Sequence, residues 1–328
     1  MTTPRHRRAA PGPHIGPHLA IAIALAIALS ACSKPAQQAP AAEPTATADT
    51  QPKTPTQPTA AASAVLPIPS GGVHLESDFS KMIVDERGTV RTLYFVRDSG
   101  QQVVESQMNL TAPHELMVRY TRTMFASYLF VPEPRKVLII GLGAGSMVRF
   151  LQRYEPKLHI DAVDIDPVIL EVATNYFGTK GNDHVKLIAA DGLRYVREVD
   201  TSYDVIYMDA FLKPSMSTDE TGVPLQMKTV DFYREMQDKL ADGGAVVFNL
   251  NFHKGIKEDF ATIQEAFSNT HLFAVPRSGN YVVVATKGQS SGNAATLRAM
   301  AKKVDPRFNR EFSVARFIPD LKRDGTLP

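Results

Sequence analysis

The sequence has little of what several functions require. It contains one cysteine, Cys32, so no disulfide can form within the chain and no thiolate zinc site can be built. That cysteine lies far ahead of the part that reads as folded, which excludes a thiol nucleophile there. No cluster of His, Cys and acidic residues has metal-ligand spacing, so no metal is expected. The apolar run Leu19–Leu29 has eleven residues, short of the about 20 that a membrane-spanning helix needs. Large net charge is also missing: the formal balance is +2. Without a basic stripe, nucleic acid is not an expected partner. What remains is globular composition, with 44% hydrophobic and 21% charged residues in 328, enough for one large domain or two small ones.

The front end is distinct. Arg5, Arg7 and Arg8 precede the short apolar run, and no acid accompanies them. A basic start, a short apolar run and small residues before a cleavage point form a secretory signal pattern. The run ends in "LSAC", Leu29 to Cys32, which resembles a bacterial lipobox whose cysteine becomes the lipidated N-terminus. The expectation is a signal peptide over residues 1–31 and a lipid anchor at Cys32. The chain would then sit in the bacterial cell envelope, facing the periplasm or the outside. Residues 32–70 are rich in Ala, Pro, Thr and Gln and read as a disordered tether that cannot bury enough surface to order itself. Removal of residues 1–31 leaves 33 basic against 34 acidic residues.

The folded part opens with alternating apolar and polar residues over 73–108. "KMIVDERGTVRTLYFV" carries a turn signal between two β-rich runs, and "SGQQVVESQ" supplies another strand. These predict a small antiparallel sheet in a subdomain spanning 71–112. Apolar residues at helical spacing, among them Leu116, Met117, Tyr120, Met124 and Leu129, predict a helix over 113–130 that Pro132 and Pro134 terminate. Strands at 137–140, 159–163, 185–189, 203–208 and 245–249 then alternate with helices near 146–154, 167–176, 191–198 and 229–240. This is the pattern of an α/β fold, a mostly parallel doubly wound sheet. "HLFAV" and "YVVVAT" predict a closing hairpin, residues 294–304 a helix, and 305–328 a tail without a clear pattern. The domain proper is expected over 113–304.

Chemistry-bearing residues fall at strand ends. Gly141, Gly143 and Gly145 follow a buried strand and open a helix. Glycines there let the backbone turn tightly and approach a ligand, and a helix N-terminus offers free N–H groups. The next strand ends in "VDID", with Asp164, Ile165 and Asp166 about 20 residues on, where an acid accepts from ribose hydroxyls. Asp191, followed by Gly192, ends the third strand and reads either as a receiver of an adenine amino group or as a helix N-cap. Asp209 ends the fourth and could take a proton from, or orient, an attacking amine. His253 falls at the rim of the same crevice and reads as structural.

These motifs resemble the spermidine synthase (polyamine aminopropyltransferase) family over residues 107–250. "VLIIGLGAGS", "VDID", "AADG" and "YDVIYMDAF…VPLQMKTVDFYREMQDKLADGGAVV" stand in its order, with Asp209 to Phe211, Pro224 to Phe232 and Tyr120 to Met124 as further shared stretches. The resemblance implies a Rossmann-like methyltransferase fold behind a small N-terminal β-sheet. It implies aminopropyl transfer from decarboxylated S-adenosylmethionine to a polyamine, and a homodimer. It further implies that Gly141, Gly143, Ala144, Gly145, Asp164, Ile165, Asp191 and Gly192 line the co-substrate. Asp209 would be the catalytic acid, and Glu115 with Asp209 would meet the acceptor. Two positions depart from the family pattern. Ala144 stands where the glycine loop usually carries an acid that meets the propylamine, and Leu212 replaces a second acid three residues after Asp209. Glu105, Asp219 and Glu220 are candidate replacements without a place. Three readings stay open: an aminopropyltransferase, an S-adenosylmethionine-dependent methyltransferase, or a catalytically silent polyamine- or nucleoside-binding lipoprotein of the same fold.

Overall fold

The structure is a computed structural model, and it describes residues 65–308, 311–322 and 325–327. The expected signal peptide, Cys32 and most of the tether lie outside the described residues. The last part of the expected tether, 65–70, is docked rather than free: the Leu66 N–H donates to the Asn175 carbonyl at 2.8 Å and Ile68 packs against the main core.

Four antiparallel strands come first: β1 (Val73–Glu76), β2 (Lys81–Arg87), β3 (Val90–Val96) and β4 (Gln102–Asn109). They pair in sequence order, as the turn chemistry predicts. The larger part alternates strands and helices: α1 (Arg119–Met124), β5 (Lys136–Ile140), α2 (Ser146–Tyr154), β6 (His159–Asp164), α3 (Pro167–Asn175), β7 (Val185–Ala189), α4 (Gly192–Glu198), β8 (Tyr203–Met208), α5 (Val230–Asp238) and β9 (Leu240–Asn251). It closes with α6 (Ile256–Ala266), β10 (Asn269–Ala274), β11 (Asn280–Thr286) and α7 (Ala294–Val304). The sheet runs β10-β11-β9-β8-β5-β6-β7, parallel from β9 to β7 and antiparallel at β10 and β11. The strand order reverses at β5, so the C-terminal ends of β5, β6 and β8 open a crevice where ligands bind in such sheets.

Alternation along the strands splits the core in two. Val137 and Ile139 of β5 face a cluster with α1, α2, α3 and α7, while Leu138 and Ile140 face one with α4, α5 and α6. Successive side chains of a strand point to opposite faces, so each strand feeds both layers.

Three sequence expectations need correction. The helix read over 113–130 begins at Arg119, and its last turns, Phe125–Leu129, are 3₁₀. Pro113 opens a turn whose neighbours bond locally, Glu115 N–H to the Ala112 carbonyl and the Arg122 guanidinium to the Leu116 carbonyl. The helix α6 was not anticipated, although Ile256, Phe260 and Ile263 keep helical spacing and are buried. The tail is not featureless either. Phe308 is fully buried and stacks edge-on against Tyr128 and Tyr154, and Phe312 packs on Phe125 and Phe150. The tail therefore completes the core beneath the sheet. Phe308→Ala should lower unfolding free energy by about 3–5 kcal/mol, measured by denaturant titration; an unchanged midpoint would contradict this role.

Candidate active site

The glycine loop after β5 is shaped by its neighbours. Gly141 has φ +95°, and a Cβ there would lie 2.1 Å from the Asp209 carbonyl. Only glycine permits that backbone and that approach. Gly143, at φ +51°, is pressed against β4: a Cβ would stand 2.8 Å from Ser106 Oγ and 3.3 Å from Glu105 Oε1. The loop is thus clamped between the end of β8 and the N-terminal sheet. Ser106 Oγ accepts from the Ala144 N–H at 3.1 Å, and Arg149 and Thr179 donate to the Ala144 carbonyl.

Around this loop lies a cavity of about 220 Å³. Its carboxylates are Glu105, Asp164, Asp166, Asp191 and Asp209, and among the described residues no Lys, Arg or His lines it. Gly141, Gly143, Ile165 and Gly192 also face it. Asp164 accepts from the Leu142 N–H at 2.8 Å and the Asp166 N–H at 3.0 Å, which fastens it to the loop. Burial holds its carboxyl above the usual range, against those N–H groups. Asp166 accepts from Ser77 Oγ at 2.5 Å, Ser80 Oγ at 2.9 Å and Val168 N–H at 2.9 Å, so it caps α3 and ties down the N-terminal sheet. Asp191 accepts from the Leu193 N–H at 2.9 Å. It therefore caps α4 while also facing the cavity, and the two readings of this residue coexist.

Asp209 is held from two sides. Its Oδ1 accepts from Asn249 Nδ2 at 2.9 Å and its Oδ2 from the Tyr120 hydroxyl at 3.2 Å. Asn280 Nδ2 donates onward to Asn249 Oδ1 at 2.9 Å. Burial pushes the Asp209 carboxyl up to about 6, opposed by the Asn249 and Tyr120 hydrogen bonds. Tyr120 and Asn249 line a wider outer cleft of about 990 Å³ that adjoins the cavity. Glu105, Phe211 and Leu212 border both spaces. Glu105 sits in the cavity wall with its carboxyl pushed up to about 8, first by burial and then by the charges of Asp209 and Asp164.

Three expected site residues do not line this cavity. The Ala144 side chain is fully buried in the hydrophobic core, turned away by the bonds that fix its N–H and carbonyl. Gly145 is the left-handed start of α2 and abuts Thr179. Glu115 lies beside Asn109 and Arg122, in a separate depression with His114 and Phe312. Its displacement follows from the turn that replaces the first half of the expected helix. Of the three candidate replacement acids, Asp219 is paired with Lys228 at 2.6 Å, and Lys228 also reaches Asp259 at 2.7 Å. Asp219, His253 and Asp259 come close enough to hold a metal, but the Lys228 ammonium already stands among these acids. His253 bonds Asp259 at 2.8 Å, which gives it a structural partner. Glu220 faces the outer cleft.

Sequence reasoning gave no site role to Tyr120, read as part of an apolar face and of a stretch shared with the family, or to Asn249. An asparagine inside "VVFNL" was the available signal, because a polar side chain in a buried strand needs a partner.

The sheet order, the glycine loop and acids at three strand ends define an α/β protein of the methyltransferase fold with a crevice at its strand ends. Residues 117–295 match the Spermine/spermidine synthase domain, more than half of the chain, and the chain belongs to this family. It is 30% identical over 246 residues to a polyamine aminopropyltransferase of Chromobacterium violaceum, covering 73% of this chain and 88% of that protein. Among solved structures, a probable spermidine synthase from Corynebacterium glutamicum superposes with a TM-score of 0.60 at 21% identity, covering 73% and 88% of the two chains. Human methyltransferase-like protein 13, in complex with SAH, gives 0.53 at 25% identity, covering 58% and 93%.

Glu105 also has a thermodynamic consequence. Its carboxyl titrates near 8 when folded against an ordinary value of 4.5. Between those values the folded protein keeps a proton that the unfolded chain has lost, so this group's contribution to stability falls as pH rises through the window. Ligand-free Glu105→Gln should match the parent near pH 4.5 and exceed it at pH 8 and above. The expected gain, on the order of 2 kcal/mol after discounting for partial exposure, is readable from urea midpoints across pH. A pH-independent difference would contradict the burial of an unpaired acid.

Proposed function

We propose that this protein is an aminopropyltransferase that moves the aminopropyl group of decarboxylated S-adenosylmethionine to the amine of a small di- or polyamine. The observation that carries the reading is a cavity with five carboxylates and, among the described residues, no cationic side chain, which shares Glu105, Phe211 and Leu212 with an outer cleft. Acids in such number around one cavity call for a cationic ligand, and a sulfonium that also bears an ammonium matches that demand. The Gly141 and Gly143 turns present backbone to the cavity, and Asp164 and Asp191 offer oxygens to ribose hydroxyls and to an adenine amino group.

In this reading Asp209 works on the attacking nitrogen. The Tyr120 and Asn249 hydrogen bonds fix both of its oxygens, and those two partners line the outer cleft. The acceptor amine forms a carbon–nitrogen bond as the carbon–sulfur bond breaks. The bonding pair returns to sulfur as a thioether, and the proton released from nitrogen passes to the Asp209 carboxylate. Holding this carboxyl near 6 keeps it ionised at neutral pH while retaining basicity. A methyltransferase reading is less well supported, because an intact methionine carboxylate would enter a cavity without a cation to receive it.

The acceptor's far end would lie in the outer cleft. Leu212 is apolar, and Lys81, Arg97, Arg119, Lys213 and Arg277 line the same space against the acids Glu105 and Glu220. That excess of cations favours a short diamine over longer polyamines. We also propose that the protein is anchored through a lipidated Cys32, which the basic, apolar and small-residue order of the N-terminal sequence supports. Cys32→Ala should then move the protein from the membrane to the soluble fraction; an unchanged distribution would end the anchoring reading.

Asp209→Asn should lower kcat by about a hundredfold or more and leave affinity for decarboxylated S-adenosylmethionine within a few-fold. For the parent enzyme kcat/KM should rise with pH through about 6, as Asp209 ionises. Tyr120→Phe removes a hydrogen bond that favours the carboxylate, so this acid limb should move to higher pH. Parental turnover in Asp209→Asn, or an acid limb unmoved in Tyr120→Phe, would take Asp209 out of the mechanism.

A further inference from the structure

Of the five carboxylates in the inner cavity, four are committed within the protein. Asp164 accepts backbone N–H groups of the glycine loop, Asp166 bonds Ser77 and Ser80, Asp191 caps α4, and Asp209 is held by Tyr120 and Asn249. Glu105 differs. Among the described residues it has no hydrogen-bond donor and no ion-pair partner, and the groups acting on it are the like charges of Asp209 and Asp164. It comes from β4, ahead of the matched residues 117–295. Its carboxylate borders both the inner cavity and the outer cleft and lies against Gly143.

An unpaired acid in a cavity without a cation costs stability unless a ligand supplies the missing charge. The aminopropyl reading, on which this inference rests, leaves one positive group without a partner. The acceptor nitrogen goes to Asp209, while the ammonium at the end of the co-substrate's propyl chain has none. We propose that Glu105 receives that ammonium and is the residue by which this protein selects decarboxylated over intact S-adenosylmethionine. The intact form carries the same ammonium with a carboxylate beside it, which opposes the ionisation of Glu105 that the ammonium favours and is repelled by the acids already ionised. Glu105 is therefore a specificity-determining residue contributed by the N-terminal sheet, and the sheet is part of the site rather than an appendage to it.

The raised titration of Glu105 adds a second signature. In the free protein at pH 7 this carboxyl holds its proton, facing Asp209, Asp164 and Tyr120. A bound ammonium favours the ionised form, so binding should release a proton to the buffer.

The test is titration calorimetry of the full chain at pH 7, in two buffers of different ionisation enthalpy. The ligands are decarboxylated S-adenosylmethionine, S-adenosylmethionine and methylthioadenosine, which lacks the propylamine. The parent should prefer the decarboxylated form by about tenfold or more and release a proton on binding it. Glu105→Gln should lose most of that preference and the proton release, yet bind methylthioadenosine within about twofold of the parent. Glu105→Asp, which keeps the charge, should regain part of the preference. A parental preference with parental proton release in Glu105→Gln overturns the role of Glu105 and leaves the aminopropyl reading standing. A parent that binds no adenosyl ligand ends both.

Discussion

An excess of acid in one cavity, with no cation among the described residues that line it, is the constraint on which the rest of the site depends. Five carboxylates surround about 220 Å³, and burial raises the carboxyls of Glu105, Asp164 and Asp209. The fold makes the arrangement tolerable by giving four of them donors: backbone N–H groups for Asp164 and Asp191, serine hydroxyls for Asp166, and an amide with a phenol for Asp209. These bonds also do structural work. Asp164 fastens the glycine loop to the end of β6, and Asp166 joins α3 to the N-terminal sheet. Positioning and stability are therefore carried by the same contacts, and the remaining electrostatic demand is left for the ligand.

The two sheets contribute in different ways. The parallel sheet delivers Asp164, Asp191 and Asp209 to one edge because β6, β7 and β8 all end there, beside the reversal of strand order at β5. The antiparallel sheet delivers Glu105 and Ser106 from the opposite side, and Ser106 holds the loop at Ala144. The loop's close fit against β4 leaves Gly143 no room for a side chain. An acid in this cavity therefore arrives from across the cleft, while the Cβ of Ala144 points into the core.

Much of this was legible from local pattern. The glycine turn and the three acids at strand ends needed only the alternation of elements and the known place of strand C-termini. What was not legible depends on contacts between distant segments. Tyr120 and Asn249 meet Asp209 across 89 and 40 positions of chain, and no periodicity reports that. Glu105 could be named as a candidate acid but not placed, because its role follows from which sheet face closes on the glycine loop. Glu115 was misplaced for a local reason: Pro113 and the turn after Ala112 delay the helix to Arg119. The helix α6 was missed although Ile256, Phe260 and Ile263 carried the period, since its Gly255 cap offers no side-chain oxygen to mark the start. In the tail, the aromatic residues Phe308, Phe312 and Phe317 were the signal of a packed segment rather than a loose end.

The central claim is that this acidic cavity and Asp209 together support aminopropyl transfer. Its most direct test is mass spectrometry of the purified protein incubated with decarboxylated S-adenosylmethionine and a short diamine. The account predicts methylthioadenosine and an aminopropylated amine in equal amounts, formed only when both substrates are present. Absence of both products alongside measured binding of the co-substrate, or methyl transfer from S-adenosylmethionine to the diamine instead, would contradict it.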